Sequence, residues 1–143
     1  IKFISVPEES SLVIEGVKKV SAGDAWEKRL TEAIKKYHDF HEAYANLAYI
    51  YHEKKLYDKA IRFFKKSIEI KPDYHTYYIG LGDLYADLGR FEEAIKTYKI
   101  GIKKTNPKLW LFYFKLSMVY SKLGNYKEAL RNMAKATRLK VDF

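Results

Sequence analysis

The chain has 143 residues, 27 Lys and Arg against 18 Asp and Glu, 13 tyrosines and no cysteine. A hydrophobic fraction of 48% over that length suffices for one domain with a core, which weighs against a disordered chain or a disulfide-stapled miniprotein. No stretch approaches the roughly 18 apolar residues of a membrane-spanning helix, and the absence of cysteine removes thiol nucleophiles, thiolate metal sites and disulfide redox chemistry.

The chain opens on Ile1 with no charged-then-apolar leader, which points to a processed product or a piece of a longer chain. Its net charge of +9 is unevenly placed. Residues 1–89 carry 14 basic and 14 acidic side chains, whereas residues 90–143 carry 13 basic and 4 acidic, so the last stretch holds the whole excess.

In chain order, Ser5-x-x-Glu8 with Pro7 resembles a capping box, and Leu12, Val13, Val17 and Val20 line one helical face up to Gly23. Asp24 is then expected to cap a second helix carrying Trp26, Leu30, Ala33 and Tyr37. From residue 41 onward three segments align. The first has Tyr44, Leu47, Ala48 and Tyr51, followed by Tyr57, Ala60, Phe64 and Pro72. The second repeats this as Tyr78, Leu81, Gly82, Tyr85, Leu88, Gly89, Phe91, Ala94, Tyr98 and Pro107, and the third as Tyr113, Leu116, Ser117, Tyr120, Leu123, Gly124, Tyr126, Ala129 and Met133. The period is 34 residues from Ala60 to Ala94 and 35 from Ala94 to Ala129.

Apolar spacings of three and four predict first helices at about 42–54, 76–88 and 109–123, and second helices at about 58–70, 92–104 and 127–139. Ala60, Ala94 and Ala129 let paired antiparallel helices approach closely, with the following aromatic filling the space beside them. Gly89 and Gly124 are expected to end first helices in the left-handed conformation. Asn106 before Pro107 reads as an N-cap.

These units resemble the tetratricopeptide (TPR) repeat. The resemblance covers residues 41–143, with Tyr44, Tyr78 and Tyr113 where the family's first-helix Trp stands, Ala48 and Ser117 in its Gly slot, and Met133 in its late aromatic slot. It implies an all-α solenoid, a right-handed superhelix of antiparallel helix pairs in a single domain spanning 1–143, with repeats at 41–74, 75–109 and 110–143 and a degenerate repeat or cap at 1–40. Such a chain is expected in the cytoplasm.

Sites of chemistry are not in view. Gly80, Gly82 and Gly89 fail the dinucleotide-loop spacing and fall in a helix, and no Gly-rich phosphate loop followed by Lys and Ser or Thr exists. His38, His41, His52 and His75 lack a placed third ligand and read as loop and surface histidines. No serine has a nucleophile's setting, and Asp83 with Asp87 has no acid partner. The expectation is no enzyme, no catalytic residue, no metal and no cofactor.

The resemblance implies instead a partner protein, held as an extended peptide or a single helix along the first helices. The lining would be Glu42, Ala45, Tyr49, His52 and Glu53, then Thr76, Ile79, Asp83, Ala86 and Asp87, then Leu111, Phe114, Met118, Ser121 and Lys122. The family's carboxylate-clamp subclass needs Lys and Asn where this chain has Ala45 and Tyr49, with Asn46 the one remnant, so chaperone tails are not the expected ligand. Asp83 and Asp87 would select a basic group, while Leu111, Phe114 and Met118 form a second apolar stripe opposite Tyr113, Leu116, Tyr120 and Leu123. That stripe has several candidate covers: a partner segment, a second copy of the chain, the apolar stretch Ile1–Val6, or ordinary packing of the terminal repeat.

Lys96, Lys99 and Lys103 share one face of a second helix, and Lys127, Arg131, Lys135 and Arg138 share one face of the last. The resemblance places these on the convex side, where a solvated surface is the ordinary outcome. The rival reading docks an acidic protein, an anionic membrane or nucleic acid there. Nucleic acid and membrane are not the expected partners, because the aromatics available for base stacking belong to the core slots.

Overall fold

The computed structural model describes residues 22–141. They form seven helices: α1 Ala22–Lys36, α2 His41–Glu53, α3 Tyr57–Ile70, α4 His75–Asp87, α5 Phe91–Lys104, α6 Trp110–Lys122 and α7 Tyr126–Val141. The fold is all-α, as the periodicity predicts, and each helix from α2 onward begins and ends within two residues of expectation. The helices group into two compact units divided after Ile70, one holding α1 to α3 and the other α4 to α7.

One turn recurs in the three helix pairs. Lys55, Gly89 and Gly124 adopt positive φ of 62°, 75° and 78°. The N–H of each donates to the carbonyl three residues back, and the next N–H reaches five residues back, from Leu56 to Tyr51, Arg90 to Tyr85 and Asn125 to Tyr120. This double closure consumes the orphan carbonyls of α2, α4 and α6 and reverses the chain within three residues, so the helices of each pair lie antiparallel. Gly89 and Gly124 were legible as such stops; Lys55 fills the same slot without being glycine.

Most of the expected core slots are filled. Tyr44, Leu47, Ala48 and Tyr51, and their counterparts on α4 and α6, are buried, as are Ala60, Phe64, Ser67, Ala94, Tyr98 and Ala129. Two of the three tyrosines in the Trp slot also satisfy their hydroxyls. Tyr78 donates to the Pro72 carbonyl at 2.6 Å, and Tyr113 to the Pro107 carbonyl at 2.7 Å, each six residues upstream. The prolines thus lie in the exposed loops ahead of α4 and α6, with their carbonyls anchoring the next helix.

Four local expectations change. Asn106 does not cap α6: its side chain accepts from the N–H of Lys108 at 2.9 Å, shaping a turn that ends two residues before the helix starts at Trp110. Asn125 takes a capping role at α7 instead, accepting from the Glu128 N–H at 3.3 Å. Leu123, expected in the core stripe, follows the end of α6 and is exposed, as is Tyr126. Finally, Gly23 and Asp24 lie inside α1 rather than between two helices. The Asp24 carboxylate meets Lys54 at 2.5 Å, and Glu27 meets the same ammonium at 2.6 Å, tying α1 to the turn after α2. Leu30 is buried at the contact of α1 with α2. The expected helix at 12–20 and the stretch Ile1–Val6 lie outside the described residues.

Candidate functional site

Within the second unit, α4 and α6 each turn one face away from the core. On α4 that face carries Thr76, Ile79, Asp83, Ala86 and Asp87, spaced by three and four; on α6 it carries Leu111, Phe114, Lys115, Met118, Ser121 and Lys122. All are half-buried or exposed. The structure therefore brings Ile79, Asp83 and Asp87 to one helix face, and Leu111, Phe114, Met118 and Lys122 to another. Trp110 extends the α6 face, its ring 6.0 Å from that of Phe114 and capped by the Lys140 ammonium at 4.5 Å.

Asp83 is the best-defined polar group on this surface. Its Oδ1 accepts from the Tyr98 hydroxyl at 2.5 Å, and its Oδ2 accepts from Lys115 Nζ at 2.9 Å. Tyr98 comes from α5, beneath α4, and reaches Asp83 because Gly82 leaves room: a Cβ at Gly82 would sit 2.2 Å from the tyrosine ring. Burial first, then the Asp83 charge and hydrogen bond, push the Tyr98 phenol well above its ordinary range, so it stays a neutral donor. Lys115 comes from α6 and half-neutralises the acidic centre expected from sequence. Sequence reasoning passed over both contacts, since Tyr98 read as core filler and Lys115 was given no role. The one available signal was that position 115 shares its repeat slot with Asn46 and Gly80, both buried.

The same two slots, fifteen residues apart, recur in each pair with different chemistry. In the first pair they hold Tyr49 and Phe64, whose rings meet edge to face at 4.9 Å. In the second they hold Asp83 and Tyr98. In the third they hold Met118 and Met133, the only methionines in the chain. Met118 is 46% exposed and Met133 39%, and both line a hollow of about 530 Å³ with Leu130 and Tyr126. In the first unit, Tyr49 and His52 are half-buried on α2, with the His52 ring 6.2 Å from that of Tyr57.

The basic groups stand apart from this surface. Lys96, Lys99, Lys103, Lys127, Arg131, Lys135 and Arg138 are all exposed, and two of them set their ammonium groups over aromatic rings, Lys99 over Tyr120 at 5.8 Å and Lys135 over Tyr113 at 4.7 Å. Among the described residues no cluster of His, Asp or Glu is arranged to hold a metal ion, and no helix is long and apolar enough to cross a membrane.

Family models of the tetratricopeptide repeat match residues 39–99 and 112–141. Among solved structures, one described as MamA MSR-1 C2 superposes with a TM-score of 0.72 at 27% identity, covering 85% of this chain and 70% of its own. Another, described as the crystal structure of MamA, gives 0.78 at 21% identity over 85% and 71%, a likeness of fold alone. A search of curated proteins returned no match.

Proposed function

Because the chain belongs to the tetratricopeptide-repeat family, whose repeats typically serve as non-enzymatic scaffolds for other proteins, we propose that it holds a peptide or helix of a partner protein on the outward faces of its first helices. The observation that carries this reading is the α6 face. Leu111 and Phe114 are half-buried and Met118 is exposed, which leaves an apolar stripe with room for an anchoring side chain. The neighbouring α4 face supplies polarity through Asp83, Lys115 and Asp87. With Lys115 already on Asp83, an arriving basic group would compete for that carboxylate, while an arriving carboxylate would meet the Lys115 ammonium. Tyr49 and His52 would extend the same use of first helices into the first unit. The scaffold carries out no catalysis, needs no cofactor, and works in the cytoplasm on this reading; retention on membranes after a salt wash would oppose that location.

The test compares capture of partner protein by the wild type and by a Phe114→Asp, Met118→Asp double variant, with solution mass measured on both. Loss of capture at unchanged monomer mass supports the reading. Capture that persists undiminished refutes it. A wild-type oligomer that the double variant dissolves would favour the alternative, an assembly element that uses the apolar α6 stripe to join copies of itself.

A further inference from the structure

The cations of α5 and α7 are ordered rather than scattered. Lys96, Lys99 and Lys103 follow one another at spacings of three and four along α5, and Arg131, Lys135 and Arg138 at four and three along α7, so each set forms a row on one side of its helix. Arg131 and Arg138 stand one repeat, 35 residues, after Lys96 and Lys103. Both helices pack on α6 and join it through short connections, so they run parallel to each other and the two rows advance in the same direction. From Lys96 to Lys103 a row extends about 10 Å at the helical rise per residue. Lys99 lies over the ring of Tyr120 and Lys135 over that of Tyr113, both on the core stripe of α6, so the rows flank the same side of that helix. Rings rather than carboxylates hold these two ammonium groups, which keep their charge and are already in place. Among the described residues no carboxylate pairs with Lys96, Lys99, Lys103, Lys135 or Arg138, because Glu93 is held by Arg90 at 2.6 Å and Glu128 by Arg131 at 2.7 Å.

We propose that these two rows dock an acidic segment of a second partner protein, on a surface separate from the α6 stripe around Phe114. A surface that serves solubility alone mixes both signs. Here the acids Glu92 and Glu128 stand only at the N-terminal ends of the rows, where they complement the helix dipoles, and cations alone follow. That polarity selects the occupant. A polynucleotide, charged uniformly, would carry phosphates over Glu92 and Glu128, and it would find no ring to stack on, since Tyr113 and Tyr120 are 7% and 9% exposed beneath their lysines. A protein segment can set a neutral or basic residue at that end and its carboxylates along the rest. An anionic membrane is held by apolar side chains as well as charge, and the rows offer cations alone. A second copy of the chain brings no acidic stretch of its own, for residues 1–89 hold equal numbers of acids and bases and residues 90–143 are strongly basic. Docking here is independent of the α6 stripe, which lets one chain join two partners.

The probe is a synthetic glutamate-rich peptide followed by fluorescence anisotropy, set against a lysine-rich peptide of equal length, an oligothymidylate and phosphatidylserine vesicles. The glutamate peptide should bind the wild type at low salt and release as salt rises, while the lysine peptide should not bind. Lys103→Glu combined with Arg138→Glu should weaken binding at least about tenfold, with an unchanged melting curve because both side chains are exposed. The control is Arg62→Glu combined with Lys65→Glu, the same change of charge on exposed residues of α3, where Glu69 stands in the repeat slot of Lys103. That variant and Phe114→Asp should both bind the glutamate peptide as the wild type does. No binding of the glutamate peptide, an equal loss in the α3 control, or loss in Phe114→Asp would overturn the proposal. So would tighter binding of the oligothymidylate or the vesicles than of the peptide, or an oligomer of the chain alone, that Lys103→Glu with Arg138→Glu abolishes.

Discussion

The hydroxyl of Tyr98 crosses beneath α4 to donate to Asp83 at 2.5 Å, through a gap that exists because residue 82 is glycine. Alanine at position 82 would gain about 1 kcal/mol of helix propensity, yet its Cβ would fall 2.2 Å from the Tyr98 ring. Overpacking should prevail, lowering stability by about 1–3 kcal/mol net. Tyr98→Phe, which keeps the ring and deletes the bond, should cost about 1–2 kcal/mol. In urea unfolding the Gly82→Ala, Tyr98→Leu pair should cost less than the sum of its singles, because the smaller side chain relieves the clash. Strict additivity would show that ring and glycine do not meet.

The bonds from Tyr78 to the Pro72 carbonyl and from Tyr113 to the Pro107 carbonyl are structurally equivalent. Tyr78→Phe and Tyr113→Phe should therefore destabilise by similar amounts, about 1 kcal/mol each, with the two effects additive. Denaturant midpoints test this, and a neutral effect at either position would mean that the phenol gains nothing over water there.

Lys55 holds φ of 62° in a slot that its two counterparts fill with glycine. Relief of a left-handed non-glycine residue should outweigh the extra freedom of glycine in the unfolded chain. Lys55→Gly is thus expected to stabilise by up to about 1 kcal/mol. Gly89→Ala should destabilise by about 1 kcal/mol through backbone strain alone, as no atom lies within 4 Å of the added Cβ. Calorimetric Tm values in opposite directions would bear this out; a lower Tm for Lys55→Gly would refute it.

Lys54, hydrogen-bonded first to Asp24 and then to Glu27, has its ammonium pKa raised from an ordinary 10.5 to about 12. A raised folded-state value means that the contribution is complete below the unfolded pKa and disappears as pH rises through the folded one. The Tm difference between wild type and Lys54→Met should accordingly be constant from pH 7 to about pH 10 and shrink between about 10.5 and 12. It should also shrink with added salt, since the pair is partly exposed. A difference that persists unchanged to pH 12 would assign the effect to the lysine stem rather than its charge.

Much of this fold can be read from the order of residues, because spacings of three and four report directly which side of a helix is buried. The positions of Tyr44, Leu47, Tyr78, Leu81, Tyr113 and Leu116 are of that kind, as are the stops at Gly89 and Gly124. Lys55 escaped notice because its turn is dictated by the antiparallel pairing of α2 with α3, which a lysine can tolerate. Asn106 and Asn125 carry the same cap signal, and only the length of the following loop separates turn from cap. The candidate surface was legible to the level of which residues share a helix face. That Asp83 is shared by Tyr98 and Lys115 was not, since it depends on how closely α5 and α6 approach α4, and that distance is set by Gly82 and Gly101 acting from different helices.

The central claim is that a partner protein lies on the α6 face. A photoreactive phenylalanine at position 114, compared with the same group at Lys103 on the outer side of α5, tests it most directly. Irradiation in native extract should give adducts of discrete mass from position 114, suppressed by Met118→Asp and absent from position 103. The same adducts from both positions, or none from 114 while the wild type still captures partner, would contradict the account.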